Sequence, residues 1–193
     1  MWINCGKIIY MRIIPTKTSL FSFDDLISRA EISSDHSVVD IGCGRSISFL
    51  YLLHQIAGKE GKITGIDILP EIVDSVLNDL KHHSLNNISI LLNDAENHKG
   101  ITIPDKSADR VFLINTLSQA SSSEAMLAEA LRILKTKGKI MIVDWNESPS
   151  PIGPLQSQRL LTNHLKDIFE ILNLSKIDEF EAGKYHYGFL LTK

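Results

Sequence analysis

Three places in the chain put chemistry-bearing residues at the ends of apolar runs. The first is Val38-Val39-Asp40-Ile41-Gly42-Cys43-Gly44-Arg45-Ser46. A β-branched run that breaks into two closely spaced glycines makes a tight turn, and glycine lets a ligand approach the backbone. A helix starting just beyond offers unpaired N–H groups, which suit a carboxylate or phosphate. Many nucleotide-binding folds use such a turn, and a purely structural turn looks the same. The second place is Asp67, in Gly65-Ile66-Asp67-Ile68. A carboxylate at a strand end can accept hydrogen bonds from both hydroxyls of a ribose. The third is Leu91-Leu92-Asn93-Asp94-Ala95-Glu96, where Asp94 has the context of a ligand contact or of an Asx turn. A dinucleotide fingerprint needs a third glycine three positions after the second. Ile47 stands there, which disfavours NAD and FAD.

The elements that must hold these residues follow from periodicity. Ser37–Ile41, Lys62–Asp67, Ile88–Asn93, Ala108–Asn115 and Lys139–Trp145 read as strands, with two more at about Leu174–Ala182 and His186–Thr192. Ile47–Ala57 is apolar on nearly every side, as in a helix buried beside a sheet. Pro70 opens a helix to His83, with Glu71 and Asp74 near its positive end. Ser121 and Glu124 have capping-box spacing, Leu127, Leu131 and Leu134 share a face, and Gly138 is expected to stop that helix. Three prolines and a glycine make Ser148–Pro154 a loop, and Leu161, Leu165, Ile168 and Leu172 mark a further helix. Strands alternating with helices imply parallel βαβ units with right-handed crossovers, and ligands then bind at the carboxyl ends of the strands.

In order and spacing these features resemble the class I S-adenosylmethionine-dependent methyltransferases of the small, UbiE-like kind. Asp40-x-Gly42-x-Gly44 is similar to their first motif, an acidic residue followed by G-x-G-x-G, with Ser46 in place of the last glycine. Serine is small and can cap a helix, so cofactor binding is expected to persist. Asp109–Leu117 followed by Leu131–Ile140 is similar to the family's fourth strand and its RVLKPGG turn, with Thr136 and Lys137 in the altered turn. His186-Tyr187-Gly188 resembles the last strand. The likeness covers about Val38–Lys193. It implies an α/β, Rossmann-like, doubly wound and mostly parallel seven-stranded sheet with helices on both faces. It also implies S-adenosylmethionine as cofactor, held by Asp40, Gly42, Cys43, Gly44, Asp67, Ile68, Asp94, Ala95 and Asn115. Asp67 would take the ribose, and Asp94 with Ala95 the adenine.

The methyl of a sulfonium is already an activated electrophile, so the protein's task is to position the acceptor. No universal catalytic residue follows, and none is assigned. Asn115, Thr116, Ser118 and Gln119, with Asp144, Trp145 and Asn146, are expected to line the acceptor side. Asn115-Thr116-Leu117-Ser118 lacks the Asn/Asp-Pro-Pro-Tyr pattern of enzymes that methylate DNA bases or protein amides, so a small-molecule acceptor is expected. The alternative is a protein of the same fold that binds cofactor or partner without catalysis. No metal is expected: Asp144 and Asn146 lack a third ligand, and His82-His83, His164 and His186 are scattered.

Composition bounds the rest. The 193 residues suit one domain, expected at 21–193, behind an N-terminal extension at 1–20. Phe21–Ala30, with Ser22 as cap, is expected to form a helix closing over the site. A net charge of −3 gives no general pull toward nucleic acid. Two cysteines, Cys5 and Cys43, make no disulfide framework and fit a cytoplasmic protein, and no run suits a membrane span. The sequence leaves the oligomeric state open.

Overall fold

The computed structural model describes residues 20–45, 47–81 and 85–193. The proposed extension through residue 19, Ser46 and the His82-His83 pair lie outside the described residues.

The chain runs α1 (Phe23–Ala30), β1 (Ser37–Ile41), α2 (Ser48–Ala57), β2 (Lys62–Asp67), α3 (Pro70–Lys81), β3 (Ile88–Leu92), β4 (Ala108–Ile114), α4 (Ser123–Ile133), β5 (Leu134–Trp145), α5 (Thr162–Ile171), β6 (Ser175–Gly183) and β7 (His186–Thr192). The sheet has seven strands in the order β3-β2-β1-β4-β5-β7-β6. Strands β1 to β5 are parallel, and β7 runs antiparallel to both β5 and β6. The order reverses between β1 and β4, the place where open α/β sheets leave a crevice.

Alternation along the strands feeds two cores. Val38, Phe112, Met141 and Leu190 point to one face and pack with α1, α2 and α3. Val39, Val111, Leu113, Ile140, Ile142 and Phe189 point to the other and pack with α4 and α5. This period of two explains why the inner strands read as unbroken apolar runs: both faces are covered.

Three local expectations need correction. Helix α4 is capped by Ser122, whose hydroxyl accepts the Ala125 N–H at 3.1 Å, and not by Ser121. The Ser121 N–H is taken by the Glu96 carboxylate instead. Gly138 does not end α4. The strand begins directly at Leu134, and a register shift opposite Asp109 absorbs the residues before Lys139. A Cβ on Gly138 would lie 2.6 Å from the Leu134 side chain, so the glycine serves close approach rather than helix termination. Helix α1 does not close over the cleft. It lies on the sheet through Leu26, Ile27 and Ala30, and Arg110 holds its end by donating to the carbonyls of Ala30 and Glu31. Ser22 stands at its N-cap position without a side-chain cap bond.

Candidate functional site

A cleft of about 240 Å³ opens at the carboxyl ends of β1, β2 and β3, lined among others by Gly42, Gly44, Asp67, Ile68, Asp94 and Ala95. Its floor is the turn after β1. The N–H groups of Gly42 and Cys43 both donate to the Ile66 carbonyl, at 2.8 and 3.0 Å, folding the turn over the end of β2. Gly42 has φ +76°, and a Cβ there would stand 2.5 Å from the Thr116 side chain. Thr116 is fixed because its hydroxyl is within bonding distance of the Ile41 and Ile114 carbonyls, at 3.1 and 3.0 Å. Gly44, at φ +62°, differs: a Cβ there would meet nothing within 4 Å. The cleft therefore reaches the backbone at Gly44 without obstruction.

The two acids near the turn are unlike. Asp67 accepts the Gly44 N–H on Oδ2 and the Leu69 N–H on Oδ1, both at 3.1 Å. An ionised carboxylate has about four acceptor positions, so both oxygens retain capacity for a diol. Asp40 lies behind the turn, nearly fully buried and outside the cleft lining. Burial, and then the neighbouring charge of Asp67, push its carboxyl up to about 7. Cys43 also turns away from the cleft, its Sγ 3.0 Å from where a Cβ on Gly65 would stand, and burial raises its thiol.

At the end of β3, Asp94 forms an Asx turn and still lines the cleft. Its Oδ1 accepts the Glu96 N–H at 2.9 Å and its Oδ2 the Asn97 side-chain amide at 2.7 Å. The turn leaves Ala95 buried against the cleft wall. The opposite wall comes from Gln119, Ala120 and Met126.

A second hollow, about 680 Å³, adjoins the cleft at the ends of β4 and β5. It is lined by Asn115, Ser118, Gln119, Trp145, Gly153, Pro154 and Gln158. Gln119 borders both spaces. Asn115 therefore belongs to this hollow and not to the cleft lining. Its backbone is left-handed at φ +56°, and its Oδ1 is 2.9 Å from Nε2 of His186. His186 is fully enclosed, with ring centroids 4.9 Å from Phe21 and 4.3 Å from Trp145. Burial, reinforced by the charge of Arg159, lowers its imidazole to about 4, so it is neutral at ordinary pH. Asp144 is turned inward, accepting the Ser118 and Trp145 N–H groups at 2.9 and 2.8 Å. Burial raises its carboxyl. Asn146 accepts the Ser148 N–H and lies outside the hollow's lining.

The far wall of the hollow is shaped by a residue that sequence reading passed over. Arg159 is buried and donates to the carbonyls of Asn146, Ser148 and Pro154, clasping the loop between β5 and α5. The loop lies on Trp145, where a Cβ on Gly153 would come within 2.5 Å of the indole. No spacing rule announces an arginine bound to carbonyls. The proline- and glycine-rich stretch just before it was the available hint. Among the described residues no group of three or more His, Cys, Asp or Glu is placed to hold a metal, and no helix is long and apolar enough to cross a membrane.

A mostly parallel sheet of this order, with a glycine turn and strand-end carboxylates around one crevice, is a doubly wound α/β architecture with its crevice at the switch in strand order. The comparisons with known proteins narrow it. The family model described as "Methyltransferase domain" matches residues 32–184. A demethylmenaquinone methyltransferase from Tropheryma whipplei is 25% identical over 156 residues, covering 81% of this chain and 58% of that protein. An S-adenosyl-L-methionine-dependent Diels-Alderase from Talaromyces variabilis is 26% identical over 155 residues, covering 76% of this chain and 51% of that protein. The chain thus spans less than two thirds of the length of these relatives. The crystal structure of a SAM-dependent methyltransferase from Aquifex aeolicus superposes with a TM-score of 0.83 at 22% identity, covering 98% of both chains. The chain belongs to the methyltransferase-domain family, within the class of S-adenosylmethionine-dependent methyltransferases.

Proposed function

We propose that the chain transfers a methyl group from S-adenosylmethionine to a small organic acceptor. One observation carries the reading: the cleft and the hollow meet at Gln119. A donor in one and an acceptor in the other would meet beside that side chain, with nothing required between the methyl and the acceptor atom.

The residues of the cleft suit the adenosyl group. The spare lone pairs of Asp67 match the two ribose hydroxyls, and the open side of Gly44 admits the ligand against the backbone. Asp94 and Ala95, facing Ala120 and Met126, form a slot suited to a flat adenine. Ile68, half exposed at the rim, offers apolar contact to the same ring. Asp40 acts behind the turn: it carries a proton up to about pH 7 and adds little negative charge beneath Asp67. When bound, the cofactor supplies an activated sulfonium methyl, and the chain's own work is to hold and orient the acceptor. Asn115, Ser118, Gln119 and Gln158 offer amides and a hydroxyl for that purpose. Such groups suit a neutral, ring-bearing molecule with oxygen or nitrogen substituents. The names of relatives, a demethylmenaquinone and an (S)-coclaurine methyltransferase, support this acceptor class. A soluble protein of the cytoplasm fits the same reading.

The test is transfer of a radiolabelled methyl from S-adenosylmethionine to a panel of phenols, quinols and cyclic amines. Labelled product is expected with at least one of them. A second reading, cofactor binding without methyl transfer, is favoured by the likeness to the Diels-Alderase. It predicts saturable cofactor binding with no labelled product from any acceptor.

A further inference from the structure

The two walls of the proposed adenine slot come from segments far apart in sequence. One is the turn after β3, residues 93–96. The other is the stretch from Thr116 to Met126, which leads into α4. Glu96 joins them. Its Oε1 accepts the Ser121 N–H at 3.1 Å and its Oε2 the Ser122 N–H at 2.7 Å. Its own N–H donates to Asp94 Oδ1 at 2.9 Å, so the clamp and the Asx turn share one residue. Glu96 also lines the cleft.

A carboxylate on two successive N–H groups at the start of an 11-residue helix is held by charge-assisted bonds and by the helix dipole. The same loop is tied to α4 a second time, further along. Glu129 accepts the N–H groups of Lys99 and Ile101, and Arg132 donates to the carbonyls of Ile101 and Ile103. Those ties are centred on buried Glu129 and involve no residue that lines the slot, so they hold the loop whether or not Glu96 is present. What Glu96 adds is local: it fixes how far Ala95 stands from Ala120 and Met126.

We infer that Glu96 is a positioning residue that sets the width of the adenine slot, and through it the discrimination among purine rings. The inference rests on the proposed S-adenosyl reading of the cleft. Mutation to alanine removes both acceptors, and Glu96→Gln keeps one oxygen while turning an N–H toward a donor.

The experiment is calorimetric titration of the full chain with S-adenosylhomocysteine and with its inosine analogue, which lacks the 6-amino group. For Glu96→Ala we expect S-adenosylhomocysteine binding to weaken about tenfold, the part of the clamp's loss that reaches the slot and not the whole of its two bonds. The preference for adenine over hypoxanthine should narrow with it, and Glu96→Gln should fall between. Ser122→Ala is the control: it deletes the helix cap but leaves both backbone donors of the clamp. It should lower the melting temperature without changing the purine preference. If Glu96→Ala binds both ligands as the wild type does, the inference fails. It fails equally if Glu96→Ala weakens both ligands by the same factor, or if Ser122→Ala changes the preference as much. Absence of binding by the folded wild-type chain would instead overturn the cofactor reading itself.

Discussion

The cleft and the adjoining hollow are built in opposite ways. The cleft is made of backbone turns at successive strand ends, Gly42 to Gly44, Asp67 to Leu69 and Asp94 to Asn97, held by bonds to main-chain N–H groups and carbonyls. Its acids Asp67 and Asp94 face the space and are ready to accept hydrogen bonds. The hollow is made of side chains brought from far apart. Asn115 is held by His186, 71 residues away, and the loop opposite is clasped by Arg159. Its titratable groups, Asp144 and His186, are turned inward and buried. A cofactor shared by a whole class is met by a constant grip of main-chain groups. An acceptor that differs between members is met by long-range packing that can be rebuilt without disturbing that grip.

The sharpest way to break this contrast is at Asp67. Asp67→Ala should weaken S-adenosylhomocysteine about a hundredfold or more, since two hydrogen bonds to a charged group at about 1.5–3 kcal/mol each are lost. Calorimetry measures it, and a change of only a few-fold would remove the ribose role. The two glycines separate fold from ligand. Gly42→Ala should cost about 2 kcal/mol in chemical denaturation, because a strained φ is combined with a clash against fixed Thr116. Gly44→Ala should cost about 1 kcal/mol, the left-handed backbone alone, while still impairing binding by filling the open cradle.

Stability against pH sharpens the comparison from the side of the buried groups. Folded Asp40 keeps its proton to about pH 7, where an ordinary aspartate loses it near 3.8. The native chain binds the extra proton in that window, so this group's contribution falls as pH rises through it. His186 has the opposite sign. It stays neutral to about pH 4, where a free imidazole is protonated near 6.5, so its contribution falls as pH drops between those values. Urea unfolding across both windows should show Asp40→Asn gaining on the wild type toward neutral pH. His186→Phe should flatten the acid limb. The smallest effect is expected at Asn115. Asn115→Ala should leave S-adenosylhomocysteine affinity within about twofold while reducing methyl transfer to any acceptor found. A large loss of cofactor affinity would move Asn115 back into the cleft.

The same division explains what the sequence could reveal. The strands β1 and β2 and the helix from Pro70 were legible because periodicity and glycine spacing are local, and so were Gly42, Gly44, Asp67 and Asp94 as cleft residues. Asp40 and Cys43 belong to the turn, yet only the burial of Asp40 and the approach of the Cys43 Sγ to Gly65 show that both stand outside the cleft lining. The resemblance assigns Asn115 to the cofactor, and strand-end position does not say which way a side chain points. Its left-handed backbone and its bond to His186 turn it to the hollow. Ser121 and Ser122 are neighbours with equal capping chemistry. The choice between them was made by Glu96, 25 residues upstream of Ser121. Arg110 binds the carbonyls of Ala30 and Glu31 from far along the chain, and Arg159 binds those of the loop just before it, contacts that no periodicity encodes.

The most direct test of the account is titration of the wild-type chain with S-adenosylhomocysteine. One ligand should bind per chain, and its binding should be abolished or strongly weakened in folded Asp67→Ala. A folded wild-type chain that gives no binding heat up to about millimolar ligand, where association is worth only about 4 kcal/mol, would contradict it.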